Sequence, residues 1–335
     1  MTPHLEHGAR FCRAYGVQHP IASAGMAFVA SAPDLAIAVA HAGGLPAIGA
    51  GILTPDELVA CIKTYREAAA APLNLNFLTF AFSAQTLVQC CALKPEIVSF
   101  HWGHPQRDWI DRLHGEGIRV WEQVGSTASA QAAFEDGIDL VIIQGSEAGG
   151  HNYGELPLGE AIEAARAALG LELMLLAAGG ISDGTDIARV MAQGADGVML
   201  GSRLVASEEA NAHPVYQAAL VASDGSDTVR TSIFGREMPF FNPVRAIAND
   251  VVREWIGRED SLPAAGDSLH KLGEMPMGDG LMPIRMLDAL VPTRDAQGDV
   301  TRMMLLAGEG IGKIRSVQPV AEIFANLIAE MRSSF

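Results

Sequence analysis

The stretch that decides the fold is Asp139-Leu-Val-Ile-Ile-Gln-Gly-Ser-Glu-Ala-Gly-Gly-His151. Its apolar run, Leu140 to Ile143, is rich in β-branched residues and lacks polar alternation, which is typical of a parallel strand buried on both faces. Gln144 ends the run, and a loop of small residues leads to a single histidine. A buried strand that ends in a glycine loop with one titratable group indicates a site. The alternative interpretation is an ordinary strand-to-loop turn with an incidental histidine.

Similar apolar runs alternate with helix-like runs from residue 19 to about residue 207. The predicted strands are residues 20–24, 45–50, 73–79, 96–100, 118–124, 140–143, 173–177 and 197–200. Strand–helix units in this number predict an α/β fold of the (β/α)8 TIM-barrel type, and a doubly wound sheet is the less favoured alternative. Because the C-terminal ends of barrel strands share one face, we expect the unusual residues at those ends to meet at one mouth.

The pattern changes after about residue 211, where prolines interrupt the regular alternation. We predict a (β/α)8 cofactor-binding barrel over residues 1–214 and a smaller helical cap domain over residues 215–310. Residues 311–335 are predicted to contain a helix that returns to the barrel. Within the cap, residues 242–257 and 280–290 are the predicted helices. Four methionines there either line a flexible apolar pocket or, as we favour, fill the core: Met275, Met277, Met282 and Met286.

Composition excludes several classes of function. The 335 residues carry a formal charge of −16 and four lysines, so the chain is a poor partner for nucleic acid. No unbroken apolar segment predicts a membrane span, and the N-terminus has no apolar h-region of a signal peptide. The four cysteines have no metal-ligand spacing, so no metal is predicted. A reduced, cytoplasmic protein is the simplest interpretation.

Glycine loops follow the seventh and eighth predicted strands. Gly179-Gly180 and Gly201-Ser202 both lead directly into predicted helices. In TIM barrels these two loops form the usual phosphate site, which uses backbone N–H groups and a helix N-terminus. Such a site suits a chain with few lysines. Glycines that serve only helix–strand packing are the alternative.

Three amide side chains end predicted strands, namely Asn76, Gln123 and Gln144. An amide both donates and accepts hydrogen bonds, so it can recognise the mixed edge of a heterocycle. Each one alone is typical of a buried structural amide. Together, beside a phosphate site, they predict a nucleotide-like cofactor with a polar ring.

The candidate for acid–base chemistry is His151, because imidazole titrates near neutral pH. His101, at the end of the fourth strand, is the second candidate, and we favour a packing or hydrogen-bonding role for it. Glu147 either orients the loop before His151 or is a solvated side chain.

With these features the chain resembles a known family, the nitronate monooxygenases. These enzymes, formerly called 2-nitropropane dioxygenases, are FMN-dependent barrels. Motifs along essentially the whole chain carry the resemblance: Pro20-Ile-Ala-Ser-Ala-Gly-Met26, Ala42-Gly-Gly-Leu45, Leu75-Asn76, Ser99-Phe-His-Trp-Gly103, Val141-Ile-Ile-Gln-Gly-Ser-Glu-Ala-Gly-Gly-His151, Ala178-Gly-Gly-Ile181, Gly197-Val-Met-Leu-Gly-Ser202 and Ala307-Gly-Glu-Gly-Ile-Gly312.

The resemblance implies FMN as cofactor and the oxidation of alkyl nitronates, and of nitroalkanes, with O2 to carbonyl compounds and nitrite. It implies that His151 is the catalytic base. The implied flavin contacts are Ala24, Gly25, Met26, Asn76, Gln144, Gly149, Gly180, Met199, Leu200, Gly201 and Ser202. The glycine loops and strand-end amides described above add Gln123, Gly150 and Gly179 to these predicted cofactor contacts.

Three departures from the family pattern weaken the substrate assignment and leave the FMN site intact. The first loop reads Ala24-Gly25-Met26, where proline is usual before the methionine. Asn152-Tyr153 stands where an arginine is frequent, and Glu309 replaces a glutamine. The first alternative is therefore an NAD(P)H-dependent flavin reductase acting on quinones or on enoyl-acyl-carrier-protein thioesters. A non-flavin isomerase or aldolase barrel and a flavin-binding protein without turnover are the others. The expected partners are a small-molecule substrate and O2, and a homodimer is left open.

Overall fold

The computed structural model describes residues 3–266 and 269–335, with side chains from residue 8 onward, so Met1 and Thr2 lie outside it. Its first nine strands are β1 Ile21–Ser23, β2 Ala47–Gly49, β3 Asn74–Leu78, β4 Ile97–His101, β5 Arg119–Val124, β6 Leu140–Gln144, β7 Gly150–His151, β8 Met174–Ala178 and β9 Gly197–Leu200. All but β7 form one parallel sheet of 8 strands, in the order β1-β9-β8-β6-β5-β4-β3-β2. A parallel bridge from Ala22 to Leu45 joins its two edges, which closes the barrel. The predicted TIM-barrel fold is confirmed.

Helices alternate with these strands and cover the barrel. They are α1 Pro3–Tyr15, α2 Pro33–His41, α3 Pro55–Ala68, α4 Ala84–Leu93, α5 Arg107–Gly115, α6 Thr127–Glu135, α7 Leu158–Leu169, α8 Gly184–Ala192, α9 Ser202–Val205, α10 Pro214–Ala222, α11 Asp250–Trp255 and α12 Val320–Ser333. Residues with short polar side chains precede several of these helices. A side-chain oxygen at that position accepts a hydrogen bond from a free backbone N–H of the first turn. Thr54 and Glu57 form a capping box on α3, and Asp183 caps α8.

The N-terminal end of the barrel is filled by aromatic side chains. Phe11 and Tyr15 of α1 pack on Trp121 of β5, with ring centroids 6.2 and 4.9 Å away, and all three are buried. Trp121 Nε1 donates a hydrogen bond to the Tyr15 hydroxyl at 2.7 Å. This packing leaves the opposite, C-terminal end of the strands as the end where a ligand site can form.

The prediction of a helical cap over residues 215–310 is corrected by the structure. Beside α10 and α11 this segment contains β10 Thr228–Thr231, β11 Val244–Ile247, β12 Lys271–Met277, β13 Gly280–Arg285 and β14 Gln297–Gly298. The predicted helix over residues 280–290 is wrong, since β13 pairs antiparallel with β12. Turn chemistry is the reason: Gly278, at φ 57°, turns the chain back, and Pro283 is incompatible with a helix interior. In residues 242–257, only α11 is α-helical.

A short sheet connects this segment to the barrel. β11 pairs with β10 on one side and with β7, in the loop after β6, on the other. The register places Val244 opposite His151 and Arg245 opposite Gly150. The glycine–histidine loop is therefore held from outside the barrel.

The C-terminal helix α12 lies on the barrel wall and packs against α8 and α2. The contact is close at Gly184, the first residue of α8. A Cβ there would overlap the Leu327 carbonyl oxygen and the Met331 backbone nitrogen. The Gly184 N–H donates to a Glu330 carboxylate oxygen at 2.8 Å.

Replacing Gly184 with alanine is expected to destabilise the fold by about 1–3 kcal/mol, because backbone atoms of α12 must move to admit the new carbon. A thermal melt should show a midpoint lower by several degrees. Gly115→Ala is the matched control, since a Cβ at Gly115 meets nothing within 4 Å. Equal midpoints for the two variants would contradict the close packing of α8 on α12.

Candidate active site

A cleft opens at the C-terminal ends of the barrel strands and encloses about 530 Å³, including its open mouth. Small residues and polar side chains dominate its walls: Ala24, Gln123, Gln144, Ala148, Gly149, Ala178, Gly179, Gly180, Ile181, Ser182, Met199, Gly201, Ser202, Gly308 and Gly310.

Most of the residues predicted to contact the cofactor line this cleft, and five do not. The side chain of Leu200 is fully buried in the outer core, because neighbouring residues of a strand point to opposite faces and Met199 takes the inner one. Gly25 and Met26 lie beside the cleft, where a Cβ at Gly25 would overlap Asn76. Asn76 Nδ2 donates to Ser99 Oγ on the next strand at 3.0 Å. Gly150 lies in β7.

The backbone of the two glycine loops faces the cleft without side chains. Gly179 and Gly180 have φ of 120° and 66°, a region that favours glycine. A Cβ at Gly201 would meet no protein atom closer than 3.9 Å, so this face is open. Ser202 Oγ accepts the Gly308 N–H at 3.0 Å, which joins the loop after β9 to residues 308–310. No lysine or arginine lines the cleft.

His151 is fixed by one backbone carbonyl. Its Nδ1 lies 2.6 Å from the Phe241 carbonyl oxygen, and an oxygen of this kind only accepts. Nδ1 therefore carries the proton, which makes Nε2 the basic nitrogen of the neutral ring. The Phe241 ring stacks on the imidazole with centroids 3.4 Å apart and planes at 14°. Among the side chains of residues 8–266 and 269–335, none hydrogen-bonds to Nε2.

Both histidines of the site are neutral near pH 7. Burial lowers the pKa of His151 to about 4. For His101, burial is the larger cause and the charge of His151 the smaller one, and together they lower its pKa to about 3. His101 Nε2 accepts a hydrogen bond from Gln123 Nε2 at 3.2 Å, and its ring stacks on Tyr153. His101 thus takes a hydrogen-bonding and packing position in the site.

The lowered pKa of His151 gives a pH prediction. Burial disfavours the protonated ring, so the neutral base persists as pH falls from 6.5 to about 4. For a substrate that binds in a neutral form and loses a proton to Nε2, kcat/KM should fall on the acid side only near pH 4, which a stopped-flow pH series can measure. An acid limb near pH 6.5 that disappears in His151→Ala would contradict the buried setting of this histidine.

The loop from residue 145 to residue 154 is held by the side chain of Gln144, which ends β6, and by side chains within the loop. Gln144 Nε2 donates to the His151 carbonyl at 3.0 Å, and Gln144 Oε1 accepts the Tyr153 N–H at 3.2 Å. Asn152 is fully buried and donates to the Ala148 carbonyl at 2.7 Å. Glu147 accepts the Leu158 N–H with both carboxylate oxygens, each at 3.0 Å. Glu147 therefore orients the loop, one of the two roles weighed for it.

The cap methionines do not line the cleft. Met275 is buried, and Met282 and Met286 pack half-buried against the core. Met277 is 37% exposed, near the tip of the β12–β13 hairpin. Core filling, the favoured interpretation, thus applies to three of the four.

The described residues contain neither a metal cluster nor a membrane-spanning helix. Where side chains are described, in residues 8–266 and 269–335, no three His, Cys, Asp or Glu side chains are placed to hold a metal ion. The helices within residues 3–266 and 269–335 are too short or too polar to cross a bilayer.

Comparison with known proteins identifies the family. The family model described as nitronate monooxygenase matches residues 10–85 and 78–330. The chain belongs to the nitronate monooxygenase family. A nitronate monooxygenase of Pseudomonas aeruginosa is 29% identical to this family member, over 96% of this chain and 99% of that protein.

Two other relatives of this nitronate monooxygenase family member have different names. The (3aS,4S,5R,7aS)-5-hydroxy-7a-methyl-1-oxo-octahydro-1H-indene-4-carboxyl-CoA dehydrogenase of Rhodococcus jostii is 28% identical over 78% of this chain and 72% of that protein. The structure of FabK from Thermotoga maritima is 27% identical, with a TM-score of 0.77 over 97% of this chain and 96% of that one. This family member is therefore an oxidoreductase on a TIM barrel.

Two residues that shape this family member's site were not predicted from the sequence. Asn152 entered only as a departure from the family pattern, although its amide holds the loop before His151. Phe241 gave no signal at all, because its backbone carbonyl makes the contact and any residue has one. Gly308 and Gly310 lie in a motif that carried the resemblance, so the sequence did contain a signal for them.

Proposed function

We propose that this family member binds FMN in the cleft and oxidises nitronates with O2 to carbonyl compounds and nitrite. Neutral nitroalkanes are substrates after loss of their α-proton. The observation that carries the proposal is the fixed tautomer of His151, which leaves Nε2 basic. His151 lies in the same loop as Ala148 and Gly149, which line the glycine-rich cleft at the barrel mouth. Family membership supports the same reaction class.

The donor set of the cleft fits FMN. The open face of Gly201 leaves space for a ligand beside the backbone, and the amides of Gln123 and Gln144 can meet the polar edge of a flavin ring. Because no cationic side chain lines the cleft, the phosphate would be held by the backbone N–H groups and hydroxyls of residues 179–182 and 201–202. FMN held there would supply the electron transfer between the substrate and O2.

His151 would handle the proton at Nε2. Its Nδ1–H stays bonded to the Phe241 carbonyl, so the ring cannot rotate away when Nε2 takes the α-proton of a nitroalkane. The same carbonyl stabilises the imidazolium that forms. His101 is neutral near pH 7, because its pKa is lowered to about 3, and it adds no positive charge beside His151. A nitronate has already lost that proton, so it depends less on His151.

The test starts with the visible spectrum of the purified protein and continues with anaerobic mixing. We expect a flavin spectrum that bleaches with nitronates and recovers with O2. Bleaching by NAD(P)H and not by any nitronate would refute the proposal. A colourless protein that takes up no FMN would support a non-flavin barrel instead.

The second candidate is an NAD(P)H-dependent reductase acting on a quinone or an enoyl thioester. The likeness to FabK, with a TM-score of 0.77 over 97% of the chain, is the observation that favours it. NAD(P)H consumption that requires a quinone or an enoyl thioester under anaerobic conditions would support this function.

Homodimer formation stays a prediction for either function.

A further inference from the structure

We propose that the non-reacting part of the substrate is an uncharged aromatic group that packs against a ring cluster beside His151. The ring cluster consists of Phe80, Trp102, Phe240 and Phe241. The inference rests on the proposed function and specifies its substrate class.

The ring cluster joins two barrel loops to the segment before β11. The Phe80 ring lies 5.2 Å from Phe241 and 5.0 Å from Phe240, and Trp102 lies 5.1 Å from Phe241, all in edge-to-face geometry. Trp102 Nε1 donates to the Phe240 carbonyl at 2.8 Å. Trp102 has φ 65°, uncommon for a residue with a side chain, so the surrounding contacts hold it in place.

The ring cluster touches the candidate base directly. Phe241 covers one face of the His151 imidazole, and the Trp102 ring lies 6.0 Å from it. A substrate that presents its α-carbon to Nε2 must therefore place its remaining atoms near these rings. Phe80 is 43% and Phe240 58% exposed, so the outer part of the cluster is an uncovered apolar surface at the mouth.

Charge disfavours a carboxylate on the part of the substrate that faces the ring cluster. No lysine or arginine lines the cleft, and the nearest cations that hold the loop already have partners. Arg245 pairs with Glu309 at 2.9 Å, and Arg230 donates to the Asn152 carbonyl at 2.9 Å. A carboxylate at the outer end of a nitronate would face the aromatic rings, and no lysine or arginine is among the cleft-lining residues of this chain of formal charge −16. An aryl group would instead extend the edge-to-face ring contacts.

The two functions of Phe241 can be separated by mutation. Its carbonyl fixes His151 whatever the side chain is, whereas its ring contributes to the aromatic surface. Phe241→Leu should keep the tautomer and remove the ring. Phe80→Ala removes a half-exposed ring that makes no contact with His151 in the structure.

The experiment measures anaerobic flavin reduction in the holoenzyme by the nitronate of phenylnitromethane and by propionate-3-nitronate. We expect the second-order rate constant of flavin reduction to be at least about tenfold higher for the aryl nitronate. Phe80→Ala and Phe241→Leu should reduce the ratio of the two rate constants severalfold. Phe134→Ala, at a 37% exposed ring on α6, should leave the ratio unchanged. Equal or greater activity with propionate-3-nitronate would overturn the inference.

A binding measurement keeps the inference testable if neither nitronate reduces the flavin, which would refute the proposed function. Nitrobenzene is uncharged, carries the aryl group and has no α-proton. Calorimetry should show that it binds the holoenzyme and that Phe80→Ala weakens binding severalfold. Equal binding by the wild type and Phe80→Ala would overturn the inference that the ring cluster binds the aryl group.

Discussion

Replacing His151 with alanine is expected to lower kcat/KM for a neutral nitroalkane by about 10²–10⁴-fold, the usual contribution of a positioned general base. The physical reason is the loss of Nε2, which is the basic nitrogen because the Phe241 carbonyl holds the proton on Nδ1. Alanine leaves a small space and removes no residue that lines the cleft. FMN should therefore stay bound, with an unchanged visible spectrum.

Substrate comparison makes this result specific. A preformed nitronate has no α-proton to lose, so His151→Ala should slow it much less than the parent nitroalkane. His41→Ala is the control, since His41 is exposed and bonds only to the Ala68 carbonyl at 2.9 Å. Equal losses for the nitroalkane and its nitronate would show that His151 does not act as the base.

Replacing Gly201 with leucine is expected to yield a folded protein with weak or no FMN binding. A Cβ at this position would meet no protein atom closer than 3.9 Å, so there is room for the first carbon of the new side chain. That room is the cleft wall between the loops after β8 and β9, where the flavin is proposed to lie. Overpacking of about 1–3 kcal/mol corresponds to a roughly 5- to 150-fold loss of affinity.

Flavin titration by fluorescence quenching measures that loss, and a thermal melt of the flavin-free protein checks the fold. Gly115→Leu is the control, because Gly115 is exposed and a Cβ there meets nothing within 4 Å. Unchanged FMN affinity in Gly201→Leu would place the cofactor elsewhere. A lowered melting midpoint in the flavin-free variant would instead show that the space at Gly201 belongs to the fold.

Local patterns predicted the barrel because each of its units is specified locally. The β-branched run before Gln144 forms β6, and the run from residue 197 to residue 200 forms β9. The capping residue Thr54 starts α3 at the expected position. In a TIM barrel, strand ends converge whatever the loops contain, so the position of the glycine loops at one mouth followed from the fold class.

The segment after residue 215 could not be predicted in the same way. Apolar residues between 280 and 290 suit a helix or a strand by spacing alone, and pairing with β12 decides in favour of a strand. Pro283 was the signal that could have corrected the prediction, because a proline inside a helix removes a hydrogen bond.

The sequence by itself determined the barrel, the glycine-lined mouth and the histidine within the loop after β6, because each depends on patterns a few residues long. Only the tertiary structure decided which nitrogen of His151 is basic and what surrounds it. The deciding partner, Phe241, is 90 residues away and acts through a backbone carbonyl, which every residue type possesses. A contact of that kind depends on how β7 and β11 pair in space, and no local pattern encodes it.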